Sequence, residues 1–185
     1  MFKIFLGDIM DNYGLTRKID SMGRIVIPKE LRERYNIREN DYLEFNLIED
    51  GFCIRKHSKL GRLKTLAQEL TDILNSFLDA EVLIAESDKI LAYSGKFKEK
   101  YIDKDISIEL LKSIRRRESL FEKYQKELKL IKNDSILCSY INETIVANYE
   151  DVGLICLYRT DKSVDENDLK VVKIVSSFFT KYLEE

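Results

Sequence analysis

Between Arg17 and Arg38, seven basic residues (Arg17, Lys18, Arg24, Lys29, Arg32, Arg34 and Arg38) stand against three acidic ones (Asp20, Glu30 and Glu33). The next stretch, Glu39 to His57, reverses the balance: Arg55 and Lys56 face Glu39, Asp41, Glu44, Glu49 and Asp50. A chain of formal net charge −2 thus carries a cationic patch near its start, which the total charge conceals. Arginines at this density suit one kind of chemistry. Their planar forks donate paired hydrogen bonds to phosphate oxygens or to a guanine edge. Positive charge on one surface, with donors long enough to reach base edges, is what duplex DNA asks of a protein.

Other chemistries are thinly supplied. His57 is the single histidine and sits among Arg55, Lys56 and Lys59, with no cysteine or second histidine near it to make a zinc site or a triad. Cys53, Cys138 and Cys156 lack metal-ligand spacing and lie in apolar, strand-like surroundings, so they read as small buried hydrophobes in a reducing compartment. The sequence shows no phosphate-cradling glycine loop and no nucleophile beside a base. It therefore reads as a binding protein rather than an enzyme, and no cofactor or metal is expected. Arg115-Arg116-Arg117 reads as a solvated helix face, Tyr93-Ser94-Gly95 as a turn, and Asn142-Glu143-Thr144 as a glycosylation pattern without meaning in a cytoplasmic chain.

The cationic patch must be held by Asp20-Ser21-Met22-Gly23-Arg24-Ile25-Val26-Ile27-Pro28-Lys29-Glu30-Leu31-Arg32. Gly23 accepts positive φ, the β-branched Ile25, Val26 and Ile27 suit a short buried strand, and Pro28 presets φ for the first residue of a helix. Pro28 is the sole proline of the chain. A strand is predicted before this stretch, from Leu15 to Ile19, and a helix after it, from Pro28 to about Tyr35 with Asn36 as its stop. Tyr42 to Ile48 alternates, Glu49-Asp50-Gly51 signals a hairpin, and Phe52 to Arg55 returns. So few residues bury little surface. With no disulfide or metal available, oligomerisation is the remaining source of stability.

From about Gly14 to His57 the chain resembles the N-terminal DNA-binding domain of the AbrB family of bacterial transcription regulators. The residues that carry the likeness are Gly14-Leu15-Thr16-Arg17-Lys18-Ile19, the central stretch, and Arg38-Glu39-Asn40-Asp41-Tyr42-Leu43-Glu44-Phe45. The resemblance implies that two chains interleave their hairpins into one domain-swapped β-barrel that binds double-stranded DNA. It places Arg17, Arg24 and Arg32 at the positions of the family's DNA-contacting arginines and Lys18 at a common basic position, while Lys29 and Arg34 are left open. Many members have a second arginine after the position of Arg32. Here it is Glu33, which repels phosphate unless Arg34 compensates. Met10 stands where members of the family begin, so residues 1–9 are expected to be an extension or to precede the true start.

Leu60, Leu63, Ala67, Leu70, Leu74 and Phe77 repeat at three and four, predicting an amphipathic helix from Leu60 to Leu78. Such a helix either dimerises and signals between domains or packs on its own domain. Beyond it, strands are predicted at Val82–Ala85, Ile90–Tyr93, Ile136–Ile141, Ile145–Tyr149 and Leu154–Tyr158. Helices are predicted at Ser107–Arg117 and from about Val164 onward, and Ser119–Lys132 is open between helix and strand. This α+β order resembles a GAF domain, the small-molecule sensor fold of many bacterial regulators.

The expected organisation is an N-terminal extension (1–12), an AbrB-type DNA-binding domain (13–58), a linker or dimerisation helix (59–79) and a GAF-like domain for sensing or oligomerisation (80–185). The expected function is a cytoplasmic, nucleoid-associated transcription regulator of the sporulation or transition-state type. Its partners would be double-stranded DNA, further copies of itself in a homodimer or homotetramer, and an unidentified small molecule if the GAF-like domain senses one. The alternative is an antitoxin-like protein-binding module of the same swapped-barrel superfamily.

Overall fold

The computed structural model describes residues 15–35, 37, 39, 41–86 and 88–184. The chain divides into two units, one ending at His57 and one starting at Ser58. The expectations for residues 1–12 and for Asn36 as a helix stop lie outside the described residues.

In the first unit, α1 (Lys29–Arg34) follows Pro28, whose φ of −55° and ψ of 146° make it the cap rather than the first helical residue. Its carbonyl accepts the Arg32 N–H at 3.0 Å, so the missing proline N–H still falls where no helical partner exists. β1 (Leu43–Ile48) and β2 (Gly51–Lys56) pair antiparallel in register, Leu43 with Lys56 and Ile48 with Gly51. The turn is thus the two residues Glu49 and Asp50, with Gly51 already in the ladder. The strands expected at Leu15–Ile19 and Ile25–Ile27 do not form among the described residues of one chain, and Ile25 and Val26 are exposed rather than buried. A strand needs a ladder partner for its backbone N–H and C=O groups, and these segments have none within the single chain.

The second unit is a five-stranded antiparallel sheet of order β4-β3-β7-β6-β5, covered on both faces. A single 3₁₀ turn (Gly61–Leu63) leads into α2 (Lys64–Leu78), so the predicted helix begins one turn later than its apolar period. β3 (Glu81–Glu86), β4 (Ile90–Ser94), α3 (Lys98–Tyr101), α4 (Ile108–Arg115), β5 (Ser119–Leu128), β6 (Ile136–Ala147), β7 (Glu150–Arg159) and α5 (Glu166–Glu184) follow. α2 lies on β3 and β4 and α5 on β6 and β7, closing one core with Ala67, Leu74, Ile84, Ile141, Val172 and Phe179. α3 and α4 close the opposite core with Tyr93, Tyr101, Leu110, Ile114, Cys138 and Tyr158. This is the mixed α+β arrangement expected of it.

The two strands predicted at Ile136–Ile141 and Ile145–Tyr149 are one continuous β6. Asn142-Glu143-Thr144 looks like a break, yet Asn142 and Thr144 are buried in the ladder. The Thr144 hydroxyl donates to the Glu118 carbonyl at 3.1 Å, so burial leaves this polar group satisfied. Pairing with β6 also decides the open segment as strand β5. Gly153 in β7 allows close approach to β3, since a Cβ there would sit 2.4 Å from the Ala85 carbonyl oxygen.

One buried ion pair ties the ends of the two helices that share a face. The Arg159 guanidinium donates to both carboxylate oxygens of Asp168, through Nη2 at 2.9 Å and through Nη1. It also donates to the carbonyls of Leu78 (2.6 Å) and Asp79 (3.3 Å) at the C-terminus of α2. Cations are favoured at that end of a helix, where carbonyls lack intrahelical partners.

Candidate nucleic-acid interface

Asp20 to Arg24 folds into a closed turn. The Gly23 N–H donates to the Asp20 carbonyl at 3.0 Å and the Asp20 N–H to the Arg24 carbonyl at 3.1 Å. Gly23 takes φ of 78°, the left-handed conformation that a glycine reaches without a Cβ clash. The Asp20 side chain completes the loop: Oδ1 accepts the backbone N–H groups of Met22 and Arg24, each at 2.9 Å, and Oδ2 accepts Arg24 Nε at 2.7 Å. Donors aimed at the charged form hold the Asp20 carboxyl below its ordinary range, the Arg24 backbone N–H most of all and its guanidinium next. Sequence reading counted Asp20 only as a negative charge. The available signal was an Asp placed to make an Asx turn three residues before a glycine.

Arg17, Lys18, Arg24 and Arg32 are all exposed. Arg17 and Lys18 lie on the extended segment before the turn, Arg24 on the turn, and Arg32 on α1, which buries none of its residues. Arg17 Nη1 donates to the Thr16 carbonyl at 2.9 Å. Among the described residues no hydrogen bond or ion pair joins these four basic side chains to one another, and only Arg24 is paired with a carboxylate. Glu33 has its own cation, Lys29 Nζ, at 3.5 Å one helical turn away. The Arg34 guanidinium lies 5.8 Å from the Tyr35 ring centroid, so the cation beside Glu33 is Lys29. An exposed pair of this kind contributes little stability, but it sets a cation against the carboxylate beside Arg32.

His57 is accounted for structurally. Its Nδ1 lies 3.1 Å from Glu44 Oε2, and its backbone N–H donates to the Tyr42 carbonyl. The hydrogen bond from Asn46, then that with His57, lowers the Glu44 carboxyl pKa. All three cysteines are buried and free. Burial pushes the Cys138 thiol up to about 12 and raises Cys156 well above its usual value, so neither presents a thiolate. Among the described residues no group of histidine, cysteine and carboxylate side chains could hold a metal ion.

Several large apolar side chains of this unit are turned outward. Leu47 is 90% exposed, and Phe45, Val26 and Met22 are each more than half exposed. Among the described residues up to His57, only Pro28 and Cys53 are buried.

Comparison with known proteins gives the same division. Residues 62–184 match the family described as "Stage V sporulation protein T C-terminal, transcription factor". Residues 16–61 match "Antidote-toxin recognition MazE, bacterial antitoxin". The chain is 35% identical over 174 residues to stage V sporulation protein T of Bacillus subtilis (strain 168), spanning 93% of this chain and 98% of that protein. It is also 40% identical over 48 residues to the transition state regulatory protein AbrB of the same organism, covering 26% of this chain and 50% of that one. A solved structure of the cyanobacteriochrome receptor PixJ superposes with a TM-score of 0.54 at 13% identity, over 69% of this chain and 99% of the other, a likeness of fold alone. An AbrB-type unit with its Gly23 turn, joined to a unit that matches the C-terminal family and aligned almost end to end with one relative, leads to one conclusion: the chain belongs to the stage V sporulation protein T family of DNA-binding transcription regulators.

Proposed function

We propose that this regulator binds duplex DNA as a homodimer through Arg17, Lys18, Arg24 and Arg32, acting by binding rather than by catalysis. The observation that carries the reading is the pairing of an exposed arginine-bearing turn with an uncovered apolar β-hairpin in one small unit. A second copy that interleaves its hairpin would cover Phe45 and Leu47 and supply ladder partners for residues 15–19 and 25–27. A two-fold dimer presents each basic residue twice, which favours a roughly palindromic site. Residues 13–58 would be the DNA-binding domain, 59–79 the connecting helix and 80–185 the regulatory domain, in a cytoplasmic protein. No described helix is long and apolar enough to cross a membrane.

α2 fits both roles weighed from its period. Ala67, Thr71 and Leu74 are buried on its own sheet, while Ile73 and Phe77 are exposed, as are Ile174, Phe178 and Tyr182 on α5. These outward side chains support pairing of C-terminal units, and hence a tetramer. Sensing at the opposite core would require a ligand to displace Tyr93, Tyr101 or Tyr158. Each is almost fully buried, with Tyr93 and Tyr158 hydroxyls 2.8 Å apart and Tyr101 bonded to Asp134 at 2.7 Å.

In a gel-shift titration, Arg24→Ala should weaken binding to the preferred duplex by about 1–3 kcal/mol while the dimer persists. Binding equal to wild type would sink the assignment. The match of residues 16–61 to an antitoxin family favours a second reading, capture of a protein partner. Antitoxins of this superfamily use an extended tail, whereas residues 58–184 fold into a unit of their own. Co-purification with a small ribonuclease-like protein would favour that reading.

A further inference from the structure

We infer that Asp20 is the positioning residue for Arg24: its carboxylate takes the Nε–H and so leaves the Nη1 and Nη2 fork of Arg24 aimed outward, end-on, at DNA. The inference rests on the DNA-binding reading of Arg24.

One carboxylate makes three bonds here, two to backbone N–H groups that shape the turn and one to the guanidinium. The turn bonds use Oδ1 and the arginine bond uses Oδ2, so shaping the loop and orienting the side chain belong to different oxygens. Arg24 remains 72% exposed despite the contact. A guanidinium has five donors in a fixed plane. Holding Nε selects, among the ways Arg24 could meet a ligand, the one using the two terminal nitrogens, which suits the paired O6 and N7 acceptors of guanine or two phosphate oxygens. It also restricts a long side chain before binding, which lowers the ordering cost on association.

Simple electrostatics predicts the opposite. A carboxylate beside a phosphate-binding surface repels DNA, so its removal should tighten binding. The sign of the effect therefore decides between the two accounts.

The test uses the full chain, a duplex selected by the wild-type protein from a randomised pool, and an unrelated duplex. Asp20→Asn retains an oxygen for the Met22 and Arg24 N–H groups but replaces the acceptor for Nε with an NH₂ group. It should weaken binding to the selected duplex by about tenfold, the scale of one charge-assisted contact, and leave the unrelated duplex unchanged or bound slightly more tightly. In an Arg24→Ala background the same change should cost less than about twofold, since a residue acting through Arg24 has nothing left to position. In the free protein the Arg24 Nε–H resonance should move in Asp20→Asn, while the amides of α1 and β1 hold their positions. Should the Asn variant fail to fold, Asp20→Ser keeps a turn-forming oxygen and is read in the same way. The proposal is overturned if Asp20→Asn binds the selected duplex as tightly as wild type or tighter, or if its loss persists undiminished without Arg24. If Arg24→Ala alone binds like wild type, the DNA role of Arg24 fails, and this inference fails with it.

Discussion

Leu47 of β1 and Leu83 of β3 both sit inside six-residue strands, yet the first is 90% exposed and the second fully buried. The contrast holds across their units. From Ser58 onward, helices close both faces of a five-stranded sheet, and even polar side chains such as Thr71, Thr144 and Arg159 are buried with partners. Up to His57 there is a hairpin, a six-residue helix and a turn, with several large apolar side chains facing out. Sheet size explains the difference. Five strands offer two faces on which four helices can pack, whereas a two-stranded hairpin is marginal in water and needs further strands. The C-terminal unit supplies its own core, whereas the N-terminal one leaves Leu47, Phe45 and Val26 uncovered in the single chain, which is what the proposed dimer would cover.

The largest test of this contrast is Arg159→Leu. It strands the buried Asp168 carboxylate and removes the donors to Leu78 and Asp79, so the C-terminal unit should lose about 3–5 kcal/mol in denaturant melts. An effect below about 1 kcal/mol would show that this core does not depend on the pair. Next is Leu47→Ala. At a site exposed in the single chain it should be nearly neutral, but covered by a partner it should cost about 1.5–3 kcal/mol per chain and make the N-terminal transition more concentration-dependent. Neutrality at every concentration would break the comparison. The smallest effect is on the Asp20 clamp. Its carboxyl pKa is lowered by folding, so the contribution is complete above the ordinary value of 3.8 and disappears as pH falls through the depressed one. Following the Arg24 Nε–H signal by NMR should show it unchanged from neutral pH down to that value and released only at lower pH; release near neutrality would show that another group holds the arginine.

Much of this was readable beforehand because it rests on local chemistry. Gly23 and Pro28 constrain their own backbone, the three-and-four spacing of Leu60 to Phe77 announces an amphipathic helix, and alternation from Leu43 with Asp50-Gly51 announces a hairpin. The basic patch needed only counting. What local chemistry left open or misread were segments whose state depends on a distant neighbour. Ser119–Leu128 is a strand because β6 lies beside it, and Asn142 to Thr144 continues β6 because β7 pairs with it there and the Glu118 carbonyl receives the Thr144 hydroxyl. Conversely, Leu15–Ile19 has strand-like residues but no ladder in one chain.

The sequence by itself determined the two-unit order, the cationic stretch and the turn that carries Arg24, since residue type and spacing act over a few positions. Only the tertiary structure decided that Asp20 grips Arg24 through Nε, that Glu33 pairs with Lys29, and that α2 buries one face while leaving Phe77 outside. These depend on which atom of a side chain reaches which partner, and composition and period do not specify that direction.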